Sequence, residues 1–141
     1  RITNAELLEA PCDVLAPCAV QRQITAENAA RISAQYILEG ANFPTTPEAD
    51  RVLEGRGRTI IPDILTNGGG VVASYGEWLQ NQCKQRWDSA AEYELLEKYM
   101  HTAARKVFER ARERDMSFRD AALLIGIEKT AEVAMRRDIW P

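Results

Sequence analysis

The sequence has few of the residues that enzymes use most often for catalysis. Its 141 residues include one histidine and three cysteines, an odd number without paired spacing. This pattern is typical of reduced thiols in a cytosolic protein, so we expect a cytoplasmic location. We expect no metal site, because Cys12 and Cys18 are too widely spaced for a usual ligand pair and only His101 could join them.

Other absences exclude whole classes of protein. No run of about 18 apolar residues is present, so we expect no membrane-spanning segment, and no signal peptide is visible. The net charge is −3 without a basic cluster, which argues against a nucleic-acid partner. Because the chain begins at Arg1 rather than methionine, we expect it to be a piece of a longer protein.

Three short apolar runs predict an α/β fold. They cover residues 14–16, 34–38 and 59–61, and each is followed by a helical pattern. Alternating strands and helices imply parallel strands with crossover connections. We therefore predict a partial doubly wound parallel sheet of about three strands, followed by C-terminal helices. Natural doubly wound sheets have more strands, so we expect part of the sheet to lie outside this chain.

Helix boundaries in the first part of the chain follow from local signals. Thr25 is a good N-cap for a helix after the first run. Thr46 is the N-cap of the second helix, with Pro47 at its first position, and Gly55 helps to end it. The third helix is predicted from about Val71 to Gln82.

Beyond Trp87 the sequence is helical throughout. Ser89-Ala90-Ala91-Glu92 resembles a capping box that opens a helix of roughly two dozen residues, and Ser117 caps a last helix. We interpret these helices as packing elements, because burial of one face explains their periodicity. The change of pattern divides the chain into segments 1–86 and 87–141.

The predicted strands all end in small or polar residues. In open α/β sheets, ligands bind outside the carboxyl ends of the strands. Asn42 and Asn67 carry amides suited to a carboxamide or a sugar hydroxyl, and small residues let a flat ring approach the backbone. The alternative is that glycine and asparagine simply form turns here. The strand-end segments are Pro17-Cys18-Ala19, Gly40-Ala41-Asn42, and Pro62-Asp63 leading to Asn67.

A second candidate is the glycine run Gly68-Gly69-Gly70 ahead of a helix. Backbone N–H groups there could attract an anion, and Ser74 could reach a bound carboxylate. The alternative is a flexible loop. The run lacks the G-x-G-x-x-G spacing, so it predicts no dinucleotide phosphate loop.

Candidates for acid-base or nucleophilic chemistry are poor. His101 lies mid-helix, where a solvated or interface position explains it. Glu39 and Asp63 are possible bases but each could also hydrogen-bond a turn. Cys18 has no neighbouring histidine in sequence to activate it. We therefore expect no complete catalytic constellation in this chain.

The strand-end segments also carry a family resemblance. The chain resembles the C-terminal part of the Glu/Leu/Phe/Val amino-acid dehydrogenases, and among them the glutamate dehydrogenases. The match runs nearly end to end, with its blocks in the right order. These blocks are DVLAPCA (13–19), QITAENA (23–29), EGAN (39–42), PTTPEAD (44–50), IPD (61–63) and VVASYGEW (71–78).

The resemblance implies NAD(P)-dependent oxidative deamination of L-glutamate to 2-oxoglutarate and ammonia. It makes segment 1–86 the second half of a Rossmann-type nucleotide-binding domain, and 87–141 helices that pack back towards a substrate domain. The catalytic residues and the glycine fingerprint would lie upstream, in a missing N-terminal half. The isolated chain would be inactive, the choice between NAD and NADP stays open, and the full enzyme would be a homo-hexamer.

The resemblance also implies roles for individual residues. Asn42 would meet the nicotinamide ribose, and Asn67 would lie near both the carboxamide and the substrate. Val71 would wall the substrate pocket, and Ser74 would hydrogen-bond the side-chain carboxylate of glutamate. The cofactor-binding set is Pro17, Cys18, Ala19, Gly40, Ala41, Asn42 and Asn67.

Three positions depart from the family pattern. The family usually has glycine at Phe43, and alanine at Gly68 and Cys18. Two other interpretations remain open: the substrate is another amino acid, or the chain is a non-catalytic assembly module. We also expect the isolated chain to dimerise or swap segments through its unpaired strand edge.

Overall fold

A computed structural model describes residues 1–137 and contains one three-stranded parallel sheet in the order β1-β2-β3. The strands are β1 (Val14–Leu15), β2 (Tyr36–Leu38) and β3 (Thr59–Ile61). The α/β fold with a parallel sheet of three strands is thus confirmed. Residues 138–141, the end of the predicted helical segment, lie outside the described residues.

Six α-helices occur in residues 1–137, with one 3₁₀ turn at Ala29–Arg31. The first was not predicted, although Thr3 and Glu6 form a capping box that the sequence already contains. The helices are α1 (Asn4–Leu8), α2 (Pro47–Gly55), α3 (Asp63–Thr66), α4 (Gly69–Cys83), α5 (Ser89–Arg114) and α6 (Phe118–Arg136).

The helix predicted to begin at Thr25 does not form. The segment makes a turn and then the single 3₁₀ turn. The cause is the side chain of Asn28: its Oδ1 accepts the N–H of Thr25 at 2.8 Å and its Nδ2 donates to the carbonyl of Gln23 at 2.8 Å. A polar side chain that satisfies nearby backbone groups in this way competes with a continuous helix.

The predicted start of α2 is confirmed. Thr46 is its N-cap, and Thr46 Oγ1 accepts the N–H of Ala49 at 3.4 Å. Pro47 takes the first helical position, where its missing N–H has no intrahelical partner to lose. Gly57 follows the helix with a φ of 71°, a conformation that glycine adopts without steric cost.

The two long C-terminal helices have the predicted extents, but one cap differs. Ser117 caps α6 and accepts the N–H of Asp120 at 3.1 Å, as predicted. Ser89 does not cap α5. The N-cap is Asp88, whose Oδ1 accepts the N–H of Ala91 at 2.9 Å. Its carboxylate also suits the positive end of the helix dipole.

Two apolar clusters form the core. The first lies between the sheet, α1 and α2, and the second joins α3, α5 and α6, with Ile61 of β3 packed against it. Helix α6 therefore packs together with α3 and α5 next to the last strand. The first cluster comprises Leu8, Ile24, Ala29, Ile32, Ala34, Ile37, Ala49, Leu53 and Ile60; the second comprises Leu65, Val107, Ala111, Ala121 and Ala122.

Only one face of the sheet is fully covered. Ile37 and Ile60 are buried on that face, whereas Val14 and Tyr36 on the other face are about half exposed. The central residues of β2 and β3 are therefore buried, whereas their neighbours on the other face are more exposed. Among the helices in residues 1–137, none combines the length and the apolar character that a bilayer crossing requires.

Replacing Asp88 with alanine should destabilise the chain by about 1 kcal/mol, because the N–H of Ala91 loses its acceptor. Ser89→Ala is the matched control. It should change the free energy of unfolding by only a few tenths of a kcal/mol, since alanine suits the first helical position. Urea unfolding measures both variants. A larger loss of stability for Ser89→Ala than for Asp88→Ala would show that Ser89, rather than Asp88, is the N-cap of α5.

Candidate functional site

The loops that follow β1 and β2 lie side by side at the carboxyl edge of the sheet. The N–H of Ala41 donates to the carbonyl of Pro17 at 2.8 Å, which extends the strand pairing into the loops. Further along, Ile24 and Thr45 form a parallel bridge, and the N–H of Gln23 donates to the carbonyl of Pro44 at 2.7 Å. Backbone bonds therefore fix the shape of this edge.

An open groove of about 730 Å³ occupies this edge. Its volume is in the range of small-molecule sites. The residues that line it in the described part of the chain are all uncharged, and most are small, so the groove offers amides and backbone rather than ionic contacts. They are Ala19, Val20, Gln21, Gly40, Ala41, Asn42, Asn67, Gly70 and Val71.

Two asparagines meet in the groove. Asn67 Nδ2 donates to Asn42 Oδ1 at 2.7 Å, although the residues are 25 positions apart. Within residues 1–137, the remaining amide nitrogen of Asn42 and the amide oxygen of Asn67 have no hydrogen-bond partner. The pair therefore presents one donor group and one acceptor, the complement of a carboxamide.

Gly40 allows β2 and the end of β1 to approach closely. A Cβ built on Gly40 would lie 2.5 Å from the Sγ of Cys18 and 3.3 Å from its Cβ. Any larger residue would therefore push the thiol into the groove or separate the two loops. Cys18 is exposed and contributes its packing against Gly40 rather than a groove wall.

The loop after Asn42 contains a strained residue. Phe43 has a φ of 50° and Arg22, on the neighbouring loop, has a φ of 56°, both in the left-handed region that disfavours residues with a side chain. The N–H of Arg22 donates to the carbonyl of Phe43 at 2.8 Å, so the two residues hold each other. A glycine at position 43 would carry no such strain.

Val71 and Ser74 lie on one face of α4, three residues apart. Val71 reaches the groove and is 74% exposed, whereas Ser74 is one turn further along and lines a second groove between α4 and α5. Ser74 Oγ donates to the carbonyl of Gly70 at 3.0 Å. Ser74 therefore adjoins the strand-end groove without lining it.

Below the groove, a partly buried cluster of charges joins the sheet to α6. Arg119 donates to both carboxylate oxygens of Glu39 at 2.8 Å and to Asp50 Oδ2 at 2.7 Å. Its Nη1 also lies 3.4 Å from Asp63 Oδ1. Glu39 is fully buried and immediately follows β2. The two carboxylates considered as possible bases thus have structural partners.

The ionisation of this cluster reflects its burial. Burial raises the pKa of Asp50, and the hydrogen bonds and charge of Arg119 only partly oppose this effect. For Arg119, burial disfavours the charge, but the hydrogen bonds and charges of Glu39 and Asp50 outweigh it and raise its pKa. Arg119 therefore stays charged, as its three acidic neighbours require.

Several residues of this region were missed from the sequence. Val20 and Gln21 line the groove beside the predicted residues, and their position just after a strand-end segment could have revealed them; Gly70, part of the predicted glycine run, lines it too. Arg119 gave no local signal, because it lies 80 residues from Glu39 and occupies an ordinary helical position. An ion pair between residues so far apart in the chain has no characteristic sequence spacing from which it could be predicted.

The remaining candidate residues are His101 and the three cysteines. His101 is exposed, with its Nδ1 3.9 Å from Glu97 Oε1 on the same helix. All three cysteines are free. In residues 1–137, no group of three or more histidine, cysteine or acidic side chains could hold a metal ion.

The three-stranded parallel sheet with flanking helices gives the chain a Rossmann-type α/β fold, with an open groove at the carboxyl edge of the sheet. The Glutamate/Leucine/Phenylalanine/Valine dehydrogenase family model matches residues 1–138. The chain therefore belongs to this family of amino-acid dehydrogenases.

Individual relatives agree with this assignment. Glutamate dehydrogenase B of Halobacterium salinarum is 44% identical over 140 residues, and NAD-specific glutamate dehydrogenase of Staphylococcus aureus is 43% identical over 136 residues; these alignments cover 99% and 96% of this chain. The leucine-bound crystal structure of hetero-hexameric glutamate dehydrogenase from Thermus thermophilus superimposes with a TM-score of 0.94, at 30% identity over 99% of this chain. The matched parts are 33%, 33% and 34% of those proteins, so this chain spans about a third of their length.

At Phe43 the usual stability order of glycine and alanine should be reversed. Phe43→Gly and Phe43→Ala both remove the ring, but only glycine relieves the left-handed backbone, so we expect the glycine variant to be more stable by about 1 kcal/mol. Phe108, helical and similarly exposed, is the matched control, where glycine should be less stable than alanine by about 1 kcal/mol. Urea unfolding of the four variants decides the matter. The same order at both positions would contradict strain at Phe43.

Proposed function

We propose that this chain forms the nicotinamide-side and glutamate-side walls of the active-site cleft in an NAD(P)-dependent glutamate dehydrogenase. The observation that carries the proposal is the hydrogen-bonded pair Asn42–Asn67 in an uncharged groove at the strand ends. Family membership supports the reaction class, and the named relatives are glutamate dehydrogenases. The reaction would be oxidative deamination of L-glutamate to 2-oxoglutarate and ammonia.

The groove suits the nicotinamide end of the cofactor better than its phosphates. When bound, nicotinamide supplies the hydride acceptor. The free amide nitrogen of Asn42 can donate to a hydroxyl of the nicotinamide ribose, and the free amide oxygen of Asn67 can accept from the amino group of the carboxamide. Small residues at Ala19, Gly40 and Ala41 admit a flat ring, and Pro17 and Cys18 support them from the end of β1. These residues would orient the ring and exclude water from one side.

Val71 and Ser74 would form the substrate side of the cleft. Val71 borders the strand-end groove, and Ser74, three residues further along α4, lines the adjoining groove between α4 and α5. The hydroxyl of Ser74 donates within its own helix, a weak bond that it can exchange for a substrate carboxylate. A carboxylate bound there would distinguish glutamate from amino acids with apolar side chains.

Segments 1–86 and 87–141 would act as the second half of the nucleotide-binding domain and as helices that pack towards the substrate domain. An upstream part would add strands beside β1, the glycine fingerprint and the catalytic residues. Neither NAD nor NADP is favoured by the residues of this chain. We propose a hexamer for the whole enzyme, with homo-hexameric assembly as the simplest form, whereas the Thermus relative is hetero-hexameric.

Nicotinamide mononucleotide should bind the isolated chain weakly and adenosine monophosphate should not. Both carry one phosphate, so a difference between them reports the base. We expect a Kd on the order of 1 mM for the nicotinamide ligand, because an open wall buries only part of it. Titration followed by ¹⁵N NMR should move the signals of Asn42, Asn67 and Gly40, while signals at the far end of α4 stay fixed.

The matched variants are Asn67→Ala and Asn81→Ala. Asn67 lies in the groove and Asn81 near the end of α4, so only the first should abolish the nicotinamide response. Equal binding of both nucleotides, or an unchanged response in Asn67→Ala, would contradict the proposed nicotinamide wall.

Ser74→Ala in the full-length enzyme separates glutamate from another substrate. Loss of a hydrogen bond to a charged group costs about 1.5–3 kcal/mol, so kcat/KM for glutamate should fall roughly tenfold or more. Norvaline has no side-chain carboxylate, and its kcat/KM should change by less than about twofold on the same argument. If both substrates lose activity equally, or neither does, the side-chain assignment is wrong and another amino acid becomes the better candidate.

A further inference from the structure

The loop that carries Asn42 is held at both ends by carboxylates that contact Arg119. Glu39, just before the loop, accepts two hydrogen bonds from Arg119 Nη2 at 2.8 Å. Just after it, the N–H of Phe43 donates to Asp63 Oδ2 at 2.7 Å, and Asp63 Oδ1 lies 3.4 Å from Arg119 Nη1. The three residues between these anchors therefore have little freedom.

The Glu39 carboxylate also fixes α3, whose C-cap is Asn67. Glu39 Oε2 accepts the N–H of Asp63, the first residue of α3, at 2.9 Å. The N–H of Asn67 donates to the carbonyl of Asp63 at 3.0 Å. Both partners of the Asn42–Asn67 hydrogen bond are thus anchored through groups that meet at Arg119.

We propose that Arg119 is a positioning residue of the nicotinamide pocket, which holds the amides of Asn42 and Asn67 in register from beneath the groove. The inference rests on the proposed function of that groove. Arg119 does not line the groove, so it acts only through Glu39 and Asp63.

The chemistry of the cluster requires arginine. A guanidinium presents five donors in a rigid plane and can serve several carboxylates at once. Arg119 uses Nε for Asp50 and Nη2 for Glu39, while Nη1 faces Asp63. A lysine ammonium is a single point on a flexible stem and cannot reproduce this spread, although it keeps the positive charge.

Arg119→Lys tests the proposal, because it preserves the charge that the buried carboxylates need. We expect the chain to remain folded, with shifted side-chain amide signals of Asn42 and Asn67 in ¹⁵N NMR without ligand. Affinity for nicotinamide mononucleotide should fall about tenfold, the equivalent of about 1.4 kcal/mol. Far-UV circular dichroism and urea unfolding check the fold.

Arg110→Lys is the matched control. Like Arg119, Arg110 makes an ion pair: it lies on α5 and donates to Glu128 Oε2 of α6 at 2.8 Å. Among residues 1–137, it makes no hydrogen bond to the strand-end loops. This variant should leave both asparagine signals and the nucleotide affinity unchanged. Equal changes in the two variants would mean that helix packing, rather than positioning by Arg119, controls the groove.

Asp63→Asn is the second test if Arg119→Lys fails to fold. It keeps the shape of the side chain but cannot accept all of the hydrogen bonds at Asp63, so the Phe43 N–H should exchange with solvent faster and the Asn42 amide should shift. Unchanged asparagine signals in a folded variant overturn the proposal, and so does loss of folding in both variants. If the unsubstituted chain binds no nucleotide, the proposed function fails. Shifted amide signals of Asn42 and Asn67 in ligand-free Arg119→Lys would still show that Arg119 positions these two side chains.

Discussion

The parallel alignment of three short strands is the constraint on which the rest of the structure depends. Leu15 of β1 is in register with Ile37 of β2, and Ile37 with Ile60 of β3. Strands that run the same way must deliver the loops that follow them to one edge. The groove, the asparagine pair and the close approach of Gly40 to Cys18 all follow from that alignment.

Beneath this edge, hydrogen-bonded ion pairs fix the loops that the short strands alone do not hold in place. One guanidinium faces three carboxylates in a partly buried site, and burial already raises the pKa of Asp50. Buried ion pairs contribute little net stability, because desolvation offsets their attraction. Their directional bonds instead fix geometry, here that of the chain on either side of Asn42.

The sequence predicted those features that local chemistry determines. Thr46 and Pro47 start a helix through contacts within one turn, and the strand ends follow from apolar runs and small residues. The helix at Thr25 was mispredicted because Asn28 bonds backward to Gln23, a local competitor that propensity does not capture. The partnership of Arg119 with Glu39 was beyond reach, since only the folded chain brings them together.

The distance along the chain between Arg119 and Glu39 has a consequence for biosynthesis. Glu39 leaves the ribosome 80 residues before its partner, which corresponds to roughly 4–16 seconds at about 5–20 residues per second. Asp63, the last of the three carboxylates, is made 56 residues before Arg119, so all three precede the guanidinium that pairs with them. The strands are made before α6, so the ion-pair cluster can form only after α6 has been synthesised and has packed against the sheet.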